Sequence, residues 1–342
     1  MPTVRQYSDT RWLYKRFNCS TIPRTLWGTI TRYLSHKPLV QDDVRLSILT
    51  FTIYPELARL WWRLWLRVKP ADVPCVIVDS VGTVNPAHFP GAIVCRFVNK
   101  YHGWKADQFI RYWIRSRYVW LMDDDKFIVD AQAVQFAQEA MDRGLAALSF
   151  APRILGWRFN IDGRIYRPMG TYCVLLNREV LRDEQLPLAP AGIPNPHKPP
   201  GGEYDTLDYA HEQLIRRGYE VVLHEKHDWI TGFDNTSVGR IYALYLSKDE
   251  VSDMILHPVT KPAFRVQFWS ASAWNQYAVC KVSYLYRSVF NEDPRSNTAL
   301  SEQKIRKCVE RAEGPPDEAK ERVLKKLDAY DDVAERVLQL LG

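Results

Sequence analysis

The chain predicts an α/β protein built on a mostly parallel, Rossmann-like central sheet with helices on its flanks, and three observations carry that expectation. Short apolar, β-branched runs alternate with helical stretches between Val44 and Leu223, the order that builds parallel βαβ units. The clearest helical stretch carries its apolar residues on one stripe, as a helix packed on a sheet does. Two of the apolar runs end in carboxylates, Asp79 and Asp123-Asp124-Asp125, at the strand ends beyond which open α/β sheets bind their ligands.

Val44 to Tyr54 (VRLSILTFTIY) reads as the first buried strand. Pro55-Glu56 then opens a helix, because proline fits the first turn and a carboxylate suits the positive end of the helix dipole. Its apolar positions Leu57, Leu60, Trp61, Leu64, Trp65 and Val68 fall on one stripe; packing on a sheet explains this better than a membrane-surface helix does. Strands follow at Pro74 to Asp79 and Gly91 to Val98, a helix at Trp104 to Arg115, and a fourth strand at Tyr118 to Met122. Ala131 to Arg143 reads as a helix, Leu145 to Phe150 and Gly170 to Leu176 as strands. Leu186 to Gly202 is a Pro/Gly loop of the length that often forms a lid or binding loop. A helix from Thr206 to Arg217, closed by Gly218, leads into the strand Tyr219 to Leu223 and then His224-Glu225-Lys226-His227. Residues 243–300 show no readable periodicity, and Pro315-Pro316 introduces a last amphipathic helix.

An apolar content of 46% and a charged content of 25% exclude a disordered chain. The formal net charge of +6 sits wholly in residues 1–41, where seven basic side chains face one acid, Asp9. With Tyr7, Trp12, Tyr14, Phe17 and Trp27 among them, this arm has the make-up to hold phosphates and stack on bases or sugars, or to form a solvated face. The expected organisation is a basic aromatic arm (1–41), a catalytic domain (42–242) and a C-terminal extension ending in the amphipathic helix (243–342). Six well-separated cysteines without a Cys-x-x-Cys pair read as reduced thiols of a cytoplasmic protein. No signal peptide and no run long enough for a transmembrane segment is expected.

Three adjacent aspartates gain nothing from core packing, whereas a cation would gain from them. Strand alternation places Asp123 and Asp125 on the ligand side and turns Asp124 away. A solvated acidic turn is the competing reading.

With those residues in place, the order from Val44 to His227 resembles a GT-A glycosyltransferase in the broad style of the family 2 enzymes. The resemblance rests on the βαβ start, the aspartate ending the second strand, a "WLMDDD" similar to the DXD motif, and a later acidic helix start followed by "RRGYEVVLHE". It implies an enzyme that moves a sugar from a nucleotide-sugar, a UDP-sugar first, to an acceptor hydroxyl. The leaving diphosphate needs a divalent cation. The resemblance implies Asp125 as ligand of Mn²⁺ or Mg²⁺, Asp123 on the ribose or the metal, Asp79 on the nucleobase or ribose, and Thr52 near the base. Lys105, Arg153 and Arg167 are candidates for the diphosphate. The acceptor needs a carboxylate base, which the resemblance implies is Asp208 or Asp205, with Glu203 a third choice; the chain departs from the family by spacing Asp205-Thr206-Leu207-Asp208 in place of an adjacent pair. Asp208 is preferred because it is expected deeper in the helix. His224 and His227 follow the strand after which such enzymes place a metal-binding histidine.

Each assignment has a plainer competitor: a strand-end turn for Asp79, helix capping for Asp205 and Asp208, a structural role for the histidines. The acceptor is a glycan or, given the basic arm, a hydroxymethylated base in DNA. A nucleotidyltransferase is disfavoured because "TFTIYPELA" lacks a Gly-rich phosphate loop. A non-catalytic nucleic-acid-binding protein leaves the aspartates without a purpose.

Overall fold

The computed structural model describes residues 11–150, 158–189, 192–198, 200–224, 228–234, 236–257, 265–294 and 300–342. The stretch read as an arm is helical: α1 spans Arg11–Ser35. There follow β1 (Leu46–Thr52), α2 (Pro55–Val68), β2 (Cys75–Asp79), β3 (Ile93–Arg96), α3 (His102–Gln108), β4 (Tyr118–Asp123), β5 (Lys126–Ile128) and α4 (Gln132–Asp142). Next come β6 (Ala147–Ser149), β7 (Phe159–Ile161), β8 (Arg164–Tyr166), β9 (Cys173–Asn177), α5 (Arg178–Asp183), α6 (Asp208–Arg216), β10 (Val221–Leu223) and β11 (Ile230–Gly232). The chain ends in helices α7 (Thr236–Tyr245), α8 (Lys248–Leu256), α9 (Arg265–Phe290), α10 (Glu302–Arg311) and α11 (Asp317–Leu341).

The chain forms two compact units. One gathers the described chain to Pro23 with Ile53–Leu64 and Gly232–Gly342; the other comprises Arg24–Thr52 and Trp65–Thr231.

The second unit holds a seven-stranded sheet in the order β10-β6-β9-β4-β1-β2-β3. Its pairings are parallel except for β9, which runs antiparallel to both β4 and β6. The expected mostly parallel sheet is therefore present, with one reversed strand that apolar patterning alone does not distinguish. β1 is buried at every position, as a strand covered on both faces must be. Trp65 of α2 meets Trp120 of β4 edge-on at 6.2 Å, and Leu57, Leu60, Trp61 and Leu64 are buried with it, so α2 is a packed helix. The helix expected over 104–115 starts at His102 and closes in a π-turn, Phe109–Trp113, where the Ile114 N–H reaches the Phe109 carbonyl at 2.8 Å. Arg178 at the start of α5 donates to the Ile110 carbonyl of that turn at 2.9 Å. The β7–β8 ribbon, which the sequence reading passed over, turns through Asp162 and Gly163 at φ 51° and 78°, the Asp-Gly pairing that tight hairpins favour.

The first unit is helical. In it Lys281 of α9 binds Glu302 of α10 at 2.6 Å and Asp331 of α11 at 2.5 Å, and Arg306 of α10 binds Asp331 at 2.7 Å. These three helices are thereby fastened at one point. α7 crosses α9 at Gly239, where an added Cβ would lie 2.1 Å from the Asn275 carbonyl oxygen. No described helix is long and apolar enough to cross a membrane.

Gly239→Ala should lower stability by about 1–3 kcal/mol, the usual cost of overpacking a tight contact. Urea unfolding followed by helical ellipticity checks it; an unshifted midpoint would mean that α7 and α9 do not cross there.

Candidate active site

Thr52 faces Asp79 across β1–β2, and Phe51 faces Asp123 across β1–β4. Three parallel strands thus end level, at the carboxyl edge where α/β sheets bind ligands. α3 brings Lys105 to the same edge. Its ammonium is buried, donates to Ser80 Oγ at 2.9 Å and Asn99 Oδ1 at 3.2 Å, and lies 5.0 Å from the Phe51 ring centroid.

β4 ends at Asp123, and Asp124-Asp125 form the turn into β5. Strand alternation therefore stops at Asp123, and Asp124 does not turn away: it is 5% exposed, against 7% for Asp125. Thr52 is hydrogen-bonded to Asp124, so in this structure Thr52 holds the acidic turn. Asp124 Oδ2 is buried and has no hydrogen-bond partner among the described residues. Burial and repulsion from Asp125 push the Asp124 carboxyl up to about 8. Asp123 is pushed well above the usual carboxylate range by burial and by both neighbouring aspartates. Burial lowers Lys105 to about 8 although Asp124 and Asp123 favour its charge. At neutral pH the cluster is short of positive charge and retains protons in its place.

Asp79 is organised differently. Its Oδ1 accepts the Val81 and Gly82 N–H groups at 3.0 and 2.8 Å, its Oδ2 accepts Val84 N–H at 3.0 Å, and the side chain is fully buried. It shapes the turn after β2.

The loop before α3 joins the acidic turn to the candidate bases. His102 Nε2 stands 3.8 Å from Asp123 Oδ1; burial and Lys105 push its imidazolium down to about 3, with Asp205 opposing. Tyr101 donates to Asp205 Oδ1 at 2.7 Å, and the Thr206 hydroxyl donates to Tyr101 at 2.7 Å. Gly103 makes this approach possible: a Cβ there would lie 2.5 Å from Thr206 Oγ1. Asp208 is not deeper in its helix but is the first residue of α6, fully buried, with Oδ2 accepting the Asp205 N–H at 3.2 Å. It follows Leu207, a buried residue held at φ 66°, a conformation that branched side chains adopt only under constraint.

Sequence reasoning missed Tyr101, His102 and Ser80. Their signal was positional, since each lies just beyond the carboxyl end of a parallel strand. The Pro/Gly loop is anchored on α6: Glu212 binds His197 at 3.1 Å and Arg216 at 2.7 Å and accepts from Tyr204.

His224 follows β10 and stands beside Trp229, whose carbonyl accepts the Val129 N–H just beyond β5 at 2.9 Å. β10 is three places from β4 in the sheet, roughly 14 Å at ordinary strand spacing, and the ring stacks on Trp229 at 4.5 Å and touches Phe136 at 4.8 Å. His227 and Arg153 lie outside the described residues, and Arg167 is half-buried after β8. Among the described residues no three His, Cys, Asp or Glu side chains converge as a ready metal-binding group.

The fold and this edge define an α/β protein with an acidic turn and a buried lysine at the carboxyl ends of parallel strands. No family model and no curated protein matches the sequence. Among solved structures, residues 1–349 of S. aureus TarS align over 85% of this chain and 90% of their own at 11% identity, with a TM-score of 0.36. The 4-diphosphocytidyl-2C-methyl-D-erythritol synthase of Anaerococcus prevotii aligns over 55% and 92% at 10% identity and a TM-score of 0.35. A putative nucleotide-diphospho-sugar transferase of Desulfovibrio desulfuricans G20 aligns over 53% and 79% at 17% identity and a TM-score of 0.34. Scores this low leave the reaction to be argued from the geometry of this chain.

α6 also carries a pH-sensitive buried group. His211 Nδ1 accepts the Met169 N–H at 3.0 Å, and burial pushes the imidazolium down to about 3 from 6.5. The unfolded chain binds that proton more readily, so stability is complete above pH 6.5 and is lost as pH falls toward 3. Between pH 6.5 and 5 the loss should be roughly 1.5 kcal/mol. Urea unfolding at both pH values should show a smaller loss in His211→Gln than in the parent; equal losses would exclude His211 as the source.

Proposed function

We propose that the chain is a nucleotide-sugar-dependent glycosyltransferase, with donor and divalent cation at the carboxyl edge of β1, β2 and β4. One observation carries the reading: Asp123 and Asp124 act on one buried lysine at the ends of parallel strands while Asp125 repels both, and Asp124 keeps a buried oxygen without a hydrogen bond. That chemistry suits a hard cation with oxygen ligands, whose ligands Asp123, Asp124 and Asp125 would supply together with bound donor. When bound, Mn²⁺ or Mg²⁺ supplies neutralisation of charge on the departing diphosphate. Lys105 adds a fixed, buried positive charge at the same edge, already oriented by Ser80 and Asn99. Neutral His102 can donate a hydrogen bond toward the donor without adding charge.

The acceptor hydroxyl loses its proton to a carboxylate, Asp208 or Asp205. Asp208 is held at the helix start and buried; Asp205 is set by Tyr101. Donor binding and proton removal thus fall to separate segments linked by residues 99–103. The acceptor is a glycan or a hydroxymethylated base in DNA.

Incubation with UDP-, GDP- and TDP-sugars plus Mn²⁺ should release a nucleoside diphosphate; release of pyrophosphate from nucleoside triphosphates instead would favour a nucleotidyltransferase. Asp125→Ala should lose this activity with an unchanged melting curve, and full activity in that variant would sink the assignment. Asp208→Asn should lower turnover about 100-fold or more with donor binding retained. Equal loss of binding would make Asp208 structural.

Because Asp124 retains its proton up to about pH 8, Mn²⁺ must displace it. Affinity measured by calorimetry should rise about tenfold or more from pH 6.5 to 8.5, with protons released to buffer. A pH-independent affinity would place the ion elsewhere.

A further inference from the structure

The second half of α1 has the wrong face toward solvent. From Arg24 to Ser35 it packs through Thr25 and Thr29, both buried, with Thr29 Oγ1 accepting the Val98 N–H at 2.9 Å. Gly28 lies against the backbone of Arg96, where a Cβ would sit 2.7 Å from the carbonyl oxygen. The opposite face presents Leu26, Ile30 and Leu34, one helical turn apart, with Trp27 beside them. Trp27 and Leu34 are each 71% exposed, and Leu26 and Ile30 are 45% and 38% exposed. Along the chain that carries this stripe the charge has one sign: residues 24–41 contain three basic side chains, Arg24, Arg32 and Lys37, and no acid.

We propose that this face of α1 docks the protein on an anionic lipid bilayer. Three features choose that occupant. The exposed anchors are aliphatic residues and a tryptophan, which enter the acyl–headgroup boundary; nucleic acid offers no matching surface to Leu26, Ile30 and Leu34. The exposed Arg24 and Lys37 complement anionic headgroups. And α1 is not apolar enough to span a bilayer, so it lies in the interface. The packed face keeps Thr25, Gly28 and Thr29 on the protein, so docking requires no unfolding of the helix. The inference is independent of the reaction proposed above.

The test is flotation of the full chain with phosphatidylcholine vesicles and with vesicles of phosphatidylcholine and phosphatidylglycerol at 7:3. Binding is expected to the anionic vesicles, to weaken as salt rises, and to fall at least tenfold in Trp27→Ser/Leu34→Ser. Both substituted side chains point to solvent, so the melting curve should stay unchanged. Arg24→Ala/Lys37→Ala should weaken anionic binding with the apolar stripe intact, which covers the case in which the first variant is unstable. No vesicle binding, or vesicle binding unchanged in both variants, overturns the proposal. So does a face used for DNA or for a second copy, seen as duplex binding or light-scattering dimers that the Trp27→Ser/Leu34→Ser variant abolishes while vesicles stay unbound.

Discussion

One buried ammonium constrains the carboxyl edge of this sheet. Lys105 has lost nearly all its water and is repaid by Ser80, Asn99 and the field of Asp123 and Asp124. Removing an ammonium from water costs several kcal/mol unless opposite charge and hydrogen bonds replace the solvent. The end of β2, the loop after β3 and the end of β4 are therefore held around a common point. The charges do not balance: Asp123 and Asp124 act on one buried lysine while Asp125 repels both, with the half-buried Lys126 adding a second charge toward Asp123. The retained protons on Asp123 and Asp124 are the physical sign of that shortage.

Holding Lys105 in place is the work of apolar residues behind it. Phe109 lies 5.5 Å from Phe51, 5.1 Å from Phe97 and 4.9 Å from Trp113, all edge-on. These contacts fix the roll of α3 about its axis, and with it the direction in which Lys105 points. The π-turn adds one residue to the helix after Gln108 and frees backbone carbonyls from their usual partners. Arg178 takes the Ile110 carbonyl and, at 3.4 Å, that of Arg115, which lets the helix end tightly against β4 without orphaned oxygens.

Much of this was legible in the sequence, for different reasons at different places. The strands β1, β2 and β4 showed as continuous apolar runs because both faces are covered, and the stripe of α2 showed because helical periodicity is strong over fourteen residues. Lys105 and the aspartates were named from type and position. Their arrangement was not legible, because the geometry of Asp124 is set by a turn where the two-residue period of a strand ends. The direction of β9 depends on the β7–β8 ribbon before it, whose Asp162-Gly163 signal is two residues long. α7 and α9 were hidden because buried polar residues, Arg240 in α7 and Asn275, Gln276 and Lys281 in α9, break the apolar pattern; Gln276 finds the Gly239 carbonyl and Lys281 finds Glu302 and Asp331 only in the folded chain. Tyr101 and His102 belong to no motif; only the folded chain places them beside Asp205 and Asp123.

Asp79 and Asp124 show how two buried aspartates at one sheet edge divide their roles. Asp79 accepts three backbone N–H groups, which leaves neither of its buried oxygens without a partner. The turn it shapes carries Gly82 at φ 73°, pressed against Arg24. Asp124 has a hydroxyl from Thr52 and repulsion from Asp125, which favours its neutral form. A buried carboxyl left so poorly compensated gains nothing for stability; an asparagine would fit the same turn with less repulsion. Its presence is what the proposed cation site requires, since a bound cation would take the place of the retained proton. The same contrast separates Glu212, whose three partners hold it below the usual range despite burial, from the acidic turn that α3 faces. The α6 carboxylate is satisfied by its three partners, whereas in the acidic turn Asp124 keeps an oxygen without one.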